Sequence, residues 1–240
     1  PVIGGTDERA TLEDLRAFFG ALPEGAAMLI KAAAGGGGRG MRVVRDADEI
    51  DAAFAAAARE AEAAFGDGGL YAERYIERAR HIEVQIAGDG RAAVALGDRD
   101  CSLQRRHQKI LEIGPAPNLA PPVRAALAEA AVRLAQAAGY RTLGTVEFLL
   151  DLDAGDFAFI EANARLQVEH TITEEVTGLD LVRVQLEIAD GKSLNDLHLT
   201  QKEIPDPRGV AIQTRINMEA MTADGGVKPA GGTLSSYDPP

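Results

Sequence analysis

Residues 161–170 read Glu161-Ala-Asn-Ala-Arg-Leu-Gln-Val-Glu-His170, with an acid, an amide, a cation, an amide and an acid at every second position. Strand side chains alternate between faces, so one extended face would carry all five polar groups. Just upstream, Phe157-Ala-Phe-Ile160 is apolar on both faces, as in a strand covered on both sides. The odd-numbered face turns polar only at Glu161, which is how a core strand enters a cleft. A strand from Phe157 to Glu169 would run 13 residues, well beyond the usual length of about 5–6. The strand is therefore expected to end near Asn163, with Arg165, Gln167 and Glu169 on a following loop that stays in the cleft.

The expected partner strand is Gly144 to Leu150, joined through Asp153-Ala-Gly-Asp156. A turn centred on Ala154 sets Glu147 directly opposite Glu161, and like charges in directly opposed strand positions repel unless a cation lies between them. Two glutamates plus the amide oxygen of Asn163 form a hard-oxygen set suited to magnesium. A register slip of one residue would instead leave two separately solvated acids. On the loop, Arg165 offers a planar fork for a small oxyanion, Gln167 and the backbone of Val168 could orient it, and Glu169 could remove its proton. The other reading of Glu169 is a helix-start carboxylate beside Thr171.

Two upstream stretches add cations. Lys31-Ala-Ala-Ala-Gly-Gly-Gly-Gly-Arg-Gly40 lies between the expected strands 27–31 and 41–44. Its glycines leave backbone N–H groups free to fold over an anion, with Lys31 in reach of phosphate. It lacks the Gly-Lys-Ser/Thr of a P-loop and is not a dinucleotide fingerprint; a plain hairpin is the other reading. Arg99-Asp-Cys-Ser-Leu-Gln-Arg-Arg-His-Gln-Lys109 concentrates basic groups in a chain of net charge −12. Alternation would put Arg105, His107 and Lys109 on one strand face as a candidate anion site, or the segment is a solvated basic edge.

The remaining pattern is mixed. Helices are expected at 11–19, 46–65, 121–138, 172–177 and 180–190, and further strands at 70–76, 81–87, 92–97, 107–113 and 210–216, with 201–209 as a linker. Strands outnumber helices without a βαβ rhythm, so the class is α+β. The acidic balance, with a pI near 4.8, argues against nucleic acid as a partner. No run of about 18 apolar residues points to a membrane span. Cys101 is the one cysteine, which excludes a disulfide framework, suits a reducing, cytoplasmic compartment and reads as a small buried residue. The chain opens at Pro1 without methionine and stops at Asp238-Pro-Pro, so a fragment of a longer protein is expected.

With these residues assembled, the chain resembles the ATP-grasp region of a biotin carboxylase, such as that of a multidomain acyl-CoA or pyruvate carboxylase. The resemblance spans nearly the whole length and rests on Lys31 to Gly40, Glu73-Arg-Tyr-Ile76, His81-Ile-Glu-Val-Gln85, Arg99 to Lys109, Glu147, and Glu161 to His170. It implies an ATP-grasp fold in which two α+β subdomains clasp a nucleotide: residues 1–200, with a glycine-loop lid at about 26–87, then a linker and the start of a C-terminal subdomain at 201–240. Gly36, Gly37 and Gly38 would close over the phosphates of ATP. Glu73, Arg74 and Ile76 would meet adenine, while Lys31, His81, Gln104 and His107 would line ribose and phosphates. Glu147, Glu161 and Asn163 would hold Mg²⁺ or Mn²⁺. Lys109, Arg165, Gln167 and Val168 would bind bicarbonate, and Glu169 would deprotonate it.

The resemblance further implies that attack on the γ-phosphate gives carboxyphosphate. Its CO₂ passes to biotin on a carrier domain, with Arg215 stabilising biotin's enolate and a carboxyltransferase completing transfer in the same or a separate chain. The family's flanking subdomains would lie before Pro1 and after Pro240, so the fragment alone is expected to lack full turnover. Two departures stand out. Ile113 and Gly114 occupy positions that are Glu and Ala in some members, and the stretch after Asn217 leaves the common Asn-Ala-Glu-Asp continuation, which hints at an acyl-CoA carboxylase. Alternatives are another ATP-grasp ligase, such as half of a carbamoyl-phosphate synthetase large subunit, or a non-catalytic nucleotide-binding module.

Overall fold

The computed structural model describes residues 1–35, 40–105, 108–223, 226–233, 235, 236 and 238. Gly36, Gly37, Gly38 and His107 lie outside the described residues.

The first unit begins with α1 (Leu12–Ala21), started by a Thr11/Asp14 capping box that satisfies two orphan backbone N–H groups. Strands β1 (Met28–Ala32) and β2 (Arg42–Val44) follow, then a 3₁₀ turn over Ala47–Glu49 and α2 (Ile50–Phe65), which stops where Gly66 takes a left-handed conformation. With β3 (Leu70–Arg74) they make an antiparallel sheet ordered β2-β1-β3. Leu15 of α1 and Ile50, Ala57 and Ala61 of α2 pack on Met28, Ile30, Val44, Leu70 and Ala72. Burying each large aliphatic side chain contributes about 1.5–3 kcal/mol.

The second unit contains β4 (Ala79–Asp89), β5 (Ala93–Arg105), β6 (Gln108–Gly114), α3 (Pro121–Ala137), β7 (Arg141–Asp151), β8 (Phe157–Asn163), α4 (His170–Thr177), α5 (Leu181–Ala189) and β9 (Ala211–Thr214). Its six strands form one antiparallel sheet ordered β8-β7-β4-β5-β6-β9. Ile82, Val84 and Ile86 of β4, with Val146 and Phe148 of β7, meet Leu127, Ala131 and Ala135 of α3. On the opposite face, Ala87, Val94, Leu96 and Leu143 are covered by Leu181, Val184 and Ile188 of α5. That face carries His81, Glu83 and Gln85 further along β4.

Several sequence expectations are corrected. The lid boundary at 87 falls inside β4, a strand of the large sheet, and the small sheet ends at Arg74. The strand expected at 92–97 continues to Arg105, and the chain then reverses. Gln201, in the expected linker, both donates to and accepts from the Ala95 backbone at 3.0 and 2.9 Å. The strand after it adds to the edge of the large sheet. A small hairpin of β10 (Glu219–Met221) and β11 (Val227–Pro229) lies beyond. No helix of the described residues is long and apolar enough to cross a membrane.

Candidate functional site

The two sheets face each other across a cleft of about 920 Å³. Lining it are the described candidates Lys31, Glu73, Arg74, Ile76, His81, Gln104, Lys109, Glu147, Glu161, Asn163, Arg165, Gln167, Val168, Glu169 and Arg215, but not Arg99 or Arg105.

The β7–β8 hairpin builds the acidic pair by a route the sequence did not reveal. Next to the turn, Leu149 pairs with Ala158 and Leu150 with Phe157, so the hairpin is not centred on Ala154. Continued without interruption, that register would put Ile160 opposite Glu147. A β-bulge between the Glu147 and Phe148 pairs absorbs Ile160, and Glu147 faces Glu161 after all. Asn163 Nδ2 lies between the carboxylates, donating to Glu147 Oε1 at 2.8 Å and Glu161 Oε1 at 3.0 Å. The partly positive amide nitrogen stands where a cation would be, and rotating the amide would present its oxygen instead. Two carboxylates and an amide oxygen suit a hard divalent ion, so these residues fit magnesium or manganese.

Glu147 is buried, and its surroundings explain its ionisation. Burial alone raises a carboxyl's pKa, but His81 Nε2 donates to Oε2 and Lys109 Nζ to Oε1. Together they hold Glu147 down at about 2. His81 is itself oriented: the Gln104 amide nitrogen reaches its Nδ1 at 2.8 Å and the Cys101 carbonyl at 2.8 Å. This leaves Nε2–H to point at Glu147.

Lys109 is the hub. Its ammonium donates to Glu83 Oε2 at 2.6 Å, Glu147 Oε1 at 2.9 Å and Glu169 Oε1 at 2.9 Å. Burial opposes its charge, but these carboxylates, Glu83 foremost, outweigh burial and raise its pKa. Glu169 occupies the N-cap position of α4, where the helix-start reading put it, but makes no side-chain capping bond. Its second oxygen accepts from Arg215 Nη2 at 2.8 Å, and Arg215 Nε donates to Glu112 Oε1 at 2.7 Å. Burial raises the Glu169 pKa, and Lys109 with Arg215 more than reverses this, so the acid is held below its ordinary value.

The loop after β8 behaves as the alternation required, with differences among its members. Gln167 is buried, donating to Glu147 Oε1 at 3.1 Å and accepting from Thr145, while Val168 is exposed. Arg165 is exposed at the rim, donates only to the Leu166 carbonyl at 3.3 Å, and has no ion pair among the described residues. Across the cleft, Lys31 donates to Glu73 Oε2 at 3.1 Å and lies 5.2 Å from the Tyr71 ring centroid. Burial works against the Lys31 charge, but Tyr71 and Glu73 leave its pKa raised. Arg74 reaches Asp151 at 3.3 Å, linking the two units.

The basic stretch is corrected most. Arg105 ends β5 and pairs with Gln108, and Lys109, on the next strand, pairs with Gln104. Arg105 and Lys109 therefore do not share one strand face, because alternation holds only within a strand. Arg105 instead joins exposed Glu219. Arg99, read as part of an anion site or a solvated edge, is fully buried. Sequence reading also missed Glu83 and Glu112, both fully buried counter-ions. For Glu83 the signal was present: His81, Glu83 and Gln85 alternate with Ile82 and Val84. The tightest metal-like cluster among the described residues, Glu83, Cys101 and Glu169, is filled by the Lys109 ammonium and is not the Glu147–Glu161 pair. Cys101 is buried as expected, and burial pushes its thiol pKa up.

Gly114 now has a physical account. A Cβ there would lie 2.4 Å from Ile172 Cγ2, so any side chain at this position would force Ile172 to shift.

Residues 2–197 match the family described as "Carbamoyl-phosphate synthase L chain, ATP binding domain". Pyruvate carboxylase 1 of Caenorhabditis elegans is 52% identical over 219 residues, 91% of this chain and 18% of that protein. The chain thus spans about a fifth of the length of this curated relative. Among solved structures, a biotin carboxylase β-γ-ATP complex from Campylobacter jejuni superposes with a TM-score of 0.87 at 42% identity, covering 100% of this chain and 52% of that one. The biotin carboxylase domain of Hydrogenobacter thermophilus 2-oxoglutarate carboxylase, described in complex with MgADP, ADP and bicarbonate, gives 0.83 at 41% identity, covering 90% and 47%. The chain therefore has the ATP-grasp fold and belongs to the carbamoyl-phosphate synthase L chain ATP-binding-domain family, within which its relatives are the biotin carboxylase domains of biotin-dependent carboxylases.

Proposed function

We propose that this chain forms the ATP-grasp part of a biotin carboxylase, the first half-reaction of a biotin-dependent carboxylase of pyruvate or acyl-CoA type. The observation that carries it is the clamp on Glu169, one oxygen on Lys109 and the other on Arg215, beside an opposed pair of glutamates. In this reading residues 1–200 bind ATP beneath a lid built on the small sheet, and 201–240 lead into a further subdomain. Glu73, Arg74 and Ile76 meet adenine; Lys31, His81 and Gln104 meet ribose and phosphates, with Gly36, Gly37, Gly38 and His107 completing the set. Glu147, Glu161 and Asn163 hold Mg²⁺ or Mn²⁺, which neutralises phosphate charge when bound.

Bicarbonate lies among Lys109, Arg165, Gln167 and Val168, and Glu169 takes its proton. Glu169 is ionised at neutral pH because Lys109 and Arg215 hold it so. A bicarbonate that draws those cations toward itself weakens that hold, and the proton affinity of Glu169 rises as the substrate arrives. The carbonate oxygen then attacks the γ-phosphorus, ADP leaves, and the resulting carboxyphosphate breaks its C–O bond to give CO₂ and phosphate. The phosphate takes the ureido N–H proton of biotin presented by a carrier domain, and the ureido nitrogen captures the CO₂. Arg215, at the same carboxylate, is placed to stabilise the ureido enolate. A carboxyltransferase completes transfer to the acceptor.

The test is ATP cleavage by the full-length protein with free biotin, titrated with bicarbonate and compared with Glu169→Gln. Bicarbonate-dependent cleavage that collapses in the variant is expected. Equal rates would remove the role of Glu169, and cleavage dependent on ammonia would favour a carbamoyl-phosphate-forming ligase.

A further inference from the structure

Arg99 is the largest fully buried side chain, with no exposed surface. Its Nε donates to Glu83 Oε1, and its Nη1 donates to Gln85 Oε1 at 3.0 Å and Thr173 Oγ1 at 2.7 Å. Its Nη2 has no hydrogen-bond partner among the described residues. For stability this is a poor use of space. A buried ion pair often contributes no more than apolar residues of similar volume, and an unmade buried hydrogen bond adds a further desolvation cost. Packing alone does not account for an arginine here.

Its partners do. The other oxygen of Glu83 accepts from Lys109 at 2.6 Å, so Arg99 fixes the carboxylate against which the hub ammonium is held. Thr173 belongs to α4, whose N-cap residue is Glu169. One rigid guanidinium therefore ties together the support of Lys109 and the helix that presents Glu169. It also balances charge: Lys109, Arg215 and Arg99 face Glu83, Glu112, Glu147 and Glu169, and losing Arg99 would leave a more negative cluster where an anion must enter. Resting on the biotin carboxylase reading above, we infer that Arg99 is a positioning residue for bicarbonate, acting through Glu83 on Lys109 and through Thr173 on Glu169 without touching substrate.

The test uses the full-length enzyme with Arg99→Met, Arg99→Lys and Thr173→Val, titrating bicarbonate and ATP separately in the ATP-cleavage assay and recording melting temperatures. Loss of a group that orients a ligand-holding side chain typically costs about 10–100-fold, and a rise of that size in the bicarbonate KM is expected for Arg99→Met while the ATP KM stays unchanged. Arg99→Lys, which keeps charge but not the fork, should fall between wild type and Met. Thr173→Val, which removes only the α4 tie, should shift the bicarbonate KM in the same direction by less. Loss of affinity for both substrates in step with melting temperature would mark a purely structural arginine and overturn the inference. If Arg99→Met does not fold, unchanged bicarbonate KM in both other variants overturns it. Absence of bicarbonate-dependent cleavage in wild type overturns the functional reading and this inference with it. An active wild type beside an Arg99→Met enzyme of unaltered bicarbonate KM overturns this inference alone.

Discussion

The two sheets bordering the cleft treat charge in opposite ways. In the unit built on the large sheet, Glu83, Arg99, Glu112, Glu147 and Glu169 are buried and locked to one another or to Lys109 and Arg215. On the small sheet the core is aliphatic and alanine-rich, and its cleft cations Lys31 and Arg74 each rest on one partly exposed ion pair, with Glu73 and Asp151. A preorganised site needs donors fixed before substrate arrives, and burial with multiple partners provides that at a cost in desolvation. A lid needs to admit and release a nucleotide, so few and weakly held polar contacts suit it. The large sheet holds the fixed chemistry, and the small one brings a cation to it.

The sharpest way to break this contrast is chemical. Glu169→Gln keeps shape but removes the proposed base, and ATP cleavage should fall about 10²–10⁴-fold in steady-state assays; a loss of less than tenfold would return Glu169 to a structural role. Stability offers the second comparison. Lys109→Met leaves buried carboxylates uncompensated and should cost about 3–5 kcal/mol in urea unfolding, whereas Lys31→Met should cost about 0–1 kcal/mol. Similar losses for both would erase the distinction between the sheets.

The pH dependence probes the same asymmetry. Glu147 has a folded pKa of about 2 against an ordinary 4.5, so its contribution is fully present above about pH 5 and is lost as pH falls toward 2. On the linkage relation this is on the order of 3 kcal/mol. Denaturant unfolding between pH 6 and pH 2, ranges set by those two pKa values, should show the decline in wild type and a flatter profile in Glu147→Gln. The smallest effects come from glycines. Gly114→Ala should destabilise by about 1–3 kcal/mol through its clash with Ile172. Gly20→Ala, in α1 with open space around it, should stabilise by about 0.5–1 kcal/mol. Thermal melts of the two variants should therefore move in opposite directions.

Much of the molecule was legible beforehand, for identifiable reasons. Helix limits followed from local chemistry: Thr11 with Asp14, Gly66, Pro121 and Asp180 each start or stop a helix through bonds within a few residues. The end of β8 at Asn163 followed from the usual limit on strand length, applied where the odd-numbered face turns polar. What was not legible depended on distant partners. Nothing near Arg99 distinguishes it from exposed Arg105, since the difference lies in Glu83, Gln85 and Thr173.

The sequence by itself determined which residue types could do the chemistry and the strand that would carry the acids into a cleft, because side-chain period and capping are local properties. Only the tertiary structure decided how those residues meet. The bulge at Ile160 turned Glu147 toward Glu161, the reversal after Arg105 put Lys109 on a separate strand, and strand pairing enclosed Arg99 against Glu83. Register and burial arise from contacts between segments far apart in the chain, where hydrogen-bond pairing and charge compensation are satisfied jointly.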